Sequence, residues 1–219
     1  MQDQWHAVDT YFNDLFIPSD DTLDHALHTS DEAGLPQINV SPAQGKLLYL
    51  LAQIHGAKNI LEIGTLGGYS TIWMARALPA GGKIVTLEAS PLHADVARKN
   101  IAHAGFADVV DIRVGYASET LPTLTDLAPF DFIFIDADKP NTPLYLEWSL
   151  KLAQKGTVII ADNVVRRGEV INPASDDPNV IGMQRTSQAV GENPHLSATV
   201  VQTVGSKGYD GFILMRVVE

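Results

Sequence analysis

From Asn59 onward the chain alternates short apolar runs with helical patterns, and no other feature limits its fold so strongly. The runs are Ile60–Ile63, Ile84–Leu87, Val109–Val114, Phe132–Ile135 and Val158–Ala161. Helical spacing fills the gaps near Tyr69–Leu78, Pro91–Ala104, Ala117–Leu124 and Leu144–Leu152. Strands alternating with helices imply a parallel sheet, because a parallel neighbour needs a crossover long enough to hold a helix. Helices then cover both faces of the sheet.

The two ends depart from that rhythm. After a helical stretch near Val180–Val190 come Leu196–Val204 and Phe212–Val218, joined through Gly205-Ser206-Lys207-Gly208. Two strands without a helix between them read as an antiparallel hairpin at the sheet edge. At the other end, Trp5, Val8, Tyr11, Phe12, Leu15 and Phe16 recur at helical spacing until Pro18. A second helix is expected over Asp20–Ala33, before Gly34. A third opens at Ser41-Pro42, an N-cap followed by proline in the first helical position, and runs through His55. The whole predicts an α/β chain with a doubly wound, mostly parallel, seven-stranded sheet, an antiparallel C-terminal hairpin and an N-terminal helical cap. One domain over 1–219 is expected, with the cap over 1–57 and the α/β core over 58–219.

Composition narrows the chemistry. Cysteine is absent, which excludes disulfides, thiolate zinc sites, iron–sulfur clusters and cysteine nucleophiles. Fifteen basic against 26 acidic residues give a net charge of −11, which disfavours nucleic acid and anionic membranes as partners. No apolar run approaches the ~20 residues of a membrane span. Met1-Gln2-Asp3 lacks the basic start of a signal peptide, so a cytoplasmic location is expected. Neither a G-x-x-x-x-G-K-[ST] loop nor a G-x-S-x-G elbow occurs.

In doubly wound sheets ligands bind beyond the carboxyl ends of the strands. The first strand ends in Glu62-Ile63-Gly64-Thr65-Leu66-Gly67-Gly68-Tyr69-Ser70. The glycines permit either a plain strand–helix turn or a ligand loop at a helix N-terminus. Leu66 breaks the G-x-G-x-x-G spacing, which counts against a nicotinamide oxidoreductase, and Glu62 suits a cationic ligand better than a pyrophosphate. Glu88, about 20 residues past the turn, is either a ribose acceptor or a solvated carboxylate. Later strands deliver Asp136-Ala137-Asp138-Lys139 and Asp162-Asn163 to the same edge. Two carboxylates and an amide oxygen suit a hard divalent cation such as Mg²⁺, Mn²⁺ or Ca²⁺; structural capping is the plainer alternative.

Taken together, Leu61–Ser70, Asp136-Ala137-Asp138-Lys139 and Asp162-Asn163 resemble the cation-dependent class I O-methyltransferases, the family of catechol and caffeoyl-coenzyme A O-methyltransferases. The likeness runs from about Leu35 to the C-terminus and takes in Val40-Ser41-Pro42 and Asp210-Gly211-Phe212. It implies that Glu62, Gly64, Thr65 and Ser70 line S-adenosylmethionine, with Val40 near its amino-acid end. Glu88 would hold the ribose and Ala117 would sit by the adenine. Asp136, Asp162 and Asn163 would ligate the cation, with Asp136 also close to the cofactor and Asp138 a further cofactor-side carboxylate. Lys139 would be the general base; the plainer alternative pairs it with a neighbouring carboxylate such as Asp138.

The implied acceptor is a small molecule with vicinal hydroxyls. A hydroxylated tRNA base is the alternative acceptor, and a non-catalytic nucleotide-binding protein is the alternative outside enzymes. The stretch from Val164 to Pro178 reads as an active-site loop, in which Arg166 and Arg167 either meet an anionic substrate group or are simply solvated. The aromatic residues of the first helix predict a homodimer.

Overall fold

The computed structural model describes residues 1–219. Three helices come first: α1 (Gln2–Phe16), α2 (Asp21–Glu32) and α3 (Pro42–His55). Asp20 caps α2 by accepting from Thr22 N and Leu23 N, and Ser41 caps α3 by accepting from Gln44 N. Each cap satisfies amides that the first helical turn leaves free. Then follow β1 (Asn59–Ile63), α4 (Tyr69–Ala75), β2 (Lys83–Glu88), α5 (Pro91–His103), β3 (Val110–Val114), α6 (Ala117–Thr120), β4 (Phe130–Ile135), α7 (Thr142–Leu152) and β5 (Ala153–Asp162). The chain closes with α8 (Pro178–Glu192), β6 (Leu196–Gly205) and β7 (Gly208–Val217).

The seven strands form one sheet in the order β3-β2-β1-β4-β5-β7-β6. β1 to β5 run parallel; β7 is antiparallel to both β5 and β6. The expected hairpin is present, with its second strand inserted against β5 and its first left at the edge. The winding reverses between β1 and β4, where a doubly wound sheet opens its crevice.

Strand periodicity builds two cores. Leu61, Ile63, Ile133, Ile135 and Ile159 face a cluster with Leu121, Leu146 and Met183 from one layer of helices. Ile60, Phe132, Phe134 and Ile160 face the other, with Leu23 and Ala26 of α2, Leu48 of α3 and Ile72 of α4. Successive residues thus serve opposite layers, as a strand buried on both faces requires.

Two expected helices are shorter than their patterns: α4 stops at Ala75 and α6 at Thr120. Pro122 carries no amide hydrogen, and beyond Thr120 the chain tightens into a 3₁₀ stretch over Leu121–Leu127. The loop after β5 holds a further 3₁₀ stretch, Arg166–Ile171, interrupted by left-handed residues at Arg167 and Gly168. No helix is long and apolar enough to cross a membrane.

Candidate active site

Register decides what meets at the crevice. Ile63 pairs with both Leu87 and Ile135, and Ile135 pairs with Ala161. One residue further along, Gly64, Glu88, Asp136 and Asp162 stand in a row. The backbone knits that row together: Gly64 N donates to Leu87 O at 3.0 Å, and Asp136 N donates to Ile63 O at 2.8 Å.

Two adjoining cavities open there. The first, about 490 Å³, is bordered by Val40, Gly64, Thr65, Ser70, Glu88, Ala117, Asp136, Asp138 and Lys139. The second, about 740 Å³, is bordered by Gln44, Asp162, Lys207 and Tyr209 among others. Val40, Asp136, Asn163 and Arg166 border both.

Of the residues expected to line a cofactor, Glu62 alone is off the cavity surface. It is fully buried, and its carboxylate accepts from Ser70 Oγ at 2.6 Å, from Thr86 Oγ1 at 2.7 Å and from Thr71 Oγ1. Burial, with the Asp136 charge adding a smaller push, outweighs those three hydroxyls and raises the carboxyl to about 7. Glu62 therefore braces the glycine turn from behind, while Ser70 presents the surface. An apolar strand with one acid in it reads equally well as a lining residue, so only the third dimension separates the two.

Glu88 is oriented before any ligand arrives. Its Oε2 accepts from Leu66 N at 2.8 Å, its Oε1 accepts from Ser90 N at 2.9 Å, and His93 Nδ1 lies 3.4 Å away. Leu66 takes a left-handed φ of +50° to deliver that amide, a conformation that an L residue keeps only when its surroundings hold it.

Asp136 and Lys139 lie on one tight turn after β4. Lys139 Nζ donates to Asp136 Oδ1 at 2.8 Å, with the lysine side chain only 9% exposed. The partner of Lys139 is thus Asp136 and not Asp138. Asp138 is engaged elsewhere: it accepts from Tyr145 Oη and from Asn141 Nδ2. Gly182 of α8 lets that helix press on the turn; a Cβ there would lie 2.1 Å from Lys139 O.

Asp162 is buried, accepting from Gln44 Nε2 at 2.7 Å and from Asn163 N at 2.8 Å. Burial first, then the charge of Asp136, hold its carboxyl well above the usual range. Asn163 adopts a left-handed φ of +59°. No group of three or more His, Cys, Asp or Glu able to hold a metal ion gathers around them; the oxygens that the sequence reading expects at a cation are two carboxylates and an amide.

Three participants escape sequence reading. Gln44 reaches Asp162 from α3, His93 approaches Glu88 from α5, and Tyr145 holds Asp138 from α7. Gln44 had one local signal, a polar side chain in the first turn after the Ser41 cap.

A nucleotide-type crevice at the winding reversal of a seven-stranded sheet with an antiparallel β7 defines an α/β methyltransferase. A profile of the O-methyltransferase family matches residues 20–218. A catechol O-methyltransferase from Niastella koreensis is 52% identical, with 97% of each chain aligned. A Bacillus cereus O-methyltransferase, solved in complex with SAH, superposes with a TM-score of 0.98 at 57% identity, over 99% of this chain and 100% of that one. The O-methyltransferase TomG of Streptomyces achromogenes, involved in tomaymycin synthesis and solved with SAM, gives a TM-score of 0.96 at 46% identity, over 100% and 99%. The chain belongs to the O-methyltransferase family and is a methyl-transferring enzyme.

Proposed function

We propose that the protein moves the methyl group of S-adenosylmethionine to one hydroxyl of a small catechol-like acceptor with vicinal hydroxyls. The observation that carries this reading is the wall common to the two cavities. Asp136, Asn163 and Val40 border both, so a donor in the smaller and an acceptor in the larger meet beside Asp136 and Lys139. The SAH and SAM complexes of its relatives support the donor, and the Niastella enzyme's name supports the acceptor.

On this reading Glu88 accepts from the ribose hydroxyls, and Gly64, Thr65, Ser70 and Val40 border the amino-acid end. Ala117 packs on the adenine, and Asp138 adds a carboxylate on the cofactor side. Asp136, Asp162 and Asn163 suit a divalent cation, Mg²⁺ before Mn²⁺ or Ca²⁺. Their fit rests on charge: the partly buried Asp136 carboxylate lies close enough to raise the carboxyl of the buried Asp162, and Lys139 is the only cation paired with either. Such a cation would orient two adjacent acceptor oxygens and make one of them more acidic.

The remaining work falls to the chain. A phenol ionises near pH 10, so at neutral pH the attacking oxygen must lose its proton on the enzyme. Lys139, the basic side chain beside Asp136, is assigned the general-base role of accepting that proton. As the oxygen–methyl bond forms, the carbon–sulfur bond breaks and its electron pair returns to sulfur.

The cap and core act as one unit, since α2 and α3 share a core with β1 and β4. A homodimer would cover α1, which has no fully buried residue in the single chain and exposes Tyr11, Phe12, Leu15 and Phe16. Light scattering at micromolar concentration reads that directly; a monomeric mass removes the dimer.

The deciding experiment incubates the protein with labelled S-adenosylmethionine, Mg²⁺ and a panel of catechols, with an undermodified tRNA in parallel. Label should enter the catechols, vanish in excess chelator and return with Mg²⁺. Full transfer in excess chelator sinks the cation, and label in the tRNA alone sinks the small acceptor.

A further inference from the structure

The larger cavity is asymmetric in charge. Its floor carries Asp136, Asp162 and Asn163, whereas its rim carries Arg166, Arg167 and Lys207. None of these three cations lies in a salt bridge; the eight ion pairs of the protein all involve other basic residues. Arg166 Nε is buried without a hydrogen-bond partner. A guanidinium donor left in that state is costly, and native structures keep few of them.

The acids on the same rim are occupied. Asp210 Oδ1 accepts from Val165 N, Arg166 N and Gly211 N, each at 3.0 Å. Asp177 Oδ1 accepts from Asn179 N and Nδ2 at 2.8 Å, and feels the Arg166 charge only from beyond ion-pair distance. Glu169 accepts from Asn172 Nδ2. Lys207 spends its one short contact on the carbonyl of Gln37, at 3.1 Å.

The backbone under the rim is strained. Arg166, Arg167 and Gly168 take φ of +53°, +58° and +92° in succession. Two arginines in the left-handed region persist only where their surroundings dictate it, and such residues gather at ligand sites. The Asp210 carboxylate supplies that constraint by clamping the amides that lead into the bend.

We infer that Arg166, seconded by Lys207, forms an anion subsite that selects acceptors bearing a carboxylate on the side of the ring opposite the reacting hydroxyls. This deepens the acceptor reading above and rests on it. A planar guanidinium binds a carboxylate through two parallel hydrogen bonds, and Lys207 adds a point charge. Ile38 and Tyr209 border the same cavity and offer apolar surface to the ring. Asp210 is a positioning residue in this scheme, since it touches only the backbone.

The test uses three catechols matched in shape: 3,4-dihydroxyphenylacetate, its methyl ester and dopamine. Acid should exceed ester, and ester should exceed dopamine, in kcat/KM, the difference residing in KM. In R166M the acid-to-ester ratio should fall about tenfold, and in K207M about two- to threefold, the span from a buried charged hydrogen bond to an exposed charge. R166K should recover part of the ratio. A ratio unchanged in both R166M and K207M overturns the subsite. So does an R166M enzyme whose affinity for S-adenosylmethionine falls in step with its turnover, because Arg166 would then serve the cofactor. If R166M does not fold, K207M, in the hairpin turn, decides alone. Methylation of all three at the same ratio in every variant removes only the subsite; methylation of none removes the acceptor reading as well.

Discussion

Gly64 and Asp136 touch through their backbones. A Cβ on Gly64 would lie 2.2 Å from the carbonyl oxygen of Asp136, and Gly64 itself holds a φ of +107°. The glycine turn after β1 and the Asp136–Lys139 turn after β4 are therefore a single packed object. Space and dihedral both demand glycine at that point.

Gly64→Ala should accordingly cost stability and function together. The side chain must displace backbone, not a flexible side-chain tip, and the left-handed strain adds to it, for a total of ~3 kcal/mol or more. Urea unfolding measures the first effect and calorimetry with S-adenosylmethionine the second. A variant that keeps both would show that the two turns move independently.

Glu62 predicts a pH dependence of stability. Its carboxyl titrates from 4.5 when solvated and from about 7 in the fold. The folded state therefore holds the proton more tightly, so stability is greatest below the unfolded value and is lost as pH rises from about 4.5 to about 7. Glu62→Gln removes the titration while retaining an oxygen for the surrounding hydroxyls. Between pH 5 and 8 the variant should gain on the wild type by roughly 3 kcal/mol at most, in denaturant midpoints corrected for slope. Parallel pH profiles for the two proteins would assign the buried charge no role.

Much of this was legible in the sequence. Ile60–Ile63, Phe132–Ile135 and Val158–Ala161 announce strands, and the residue that follows each run (Gly64, Asp136 and Asp162) falls at the crevice because the parallel register aligns the ends. What stayed hidden is non-local. Gln44 and Asp162 meet across 118 positions, and no pattern in either segment records the other. Glu62 points to the interior because Ser70, Thr71 and Thr86 converge on it from two further elements. The insertion of β7 between β5 and β6 is a choice of edge pairing that alternation alone does not encode.

Glu88→Ala should weaken S-adenosylmethionine binding more than it slows the bound complex. The expected loss is ~1.5–3 kcal/mol for each hydroxyl bond, before water compensates. The structure adds a second component, because Glu88 also accepts from Leu66 N and Ser90 N. Glu88→Gln keeps one acceptor oxygen and should fall between wild type and Ala. An unchanged dissociation constant for both variants would take the ribose away from Glu88.

Lys139 separates chemistry from structure most sharply. If its amine takes the hydroxyl proton, Lys139→Ala should slow methyl transfer by ~10²–10⁴-fold, the usual worth of a positioned base. That deficit must depend on the acceptor. A nitrocatechol is already largely ionised at neutral pH, so little proton transfer remains to be assisted and the variant should approach wild type. The competing role is visible in the fold: Lys139 Nζ lies 2.8 Å from Asp136 Oδ1 and neutralises a partly buried carboxylate. Were that its whole function, Lys139→Ala would lower stability and ligand affinity, and its rate deficit would be the same for every acceptor. Single-turnover rates at saturating cofactor, across catechols of graded acidity, distinguish the two. The slope of log rate against acceptor pKa should steepen in the variant. Parallel lines would leave Lys139 as the counter-ion of Asp136 and send the proton elsewhere.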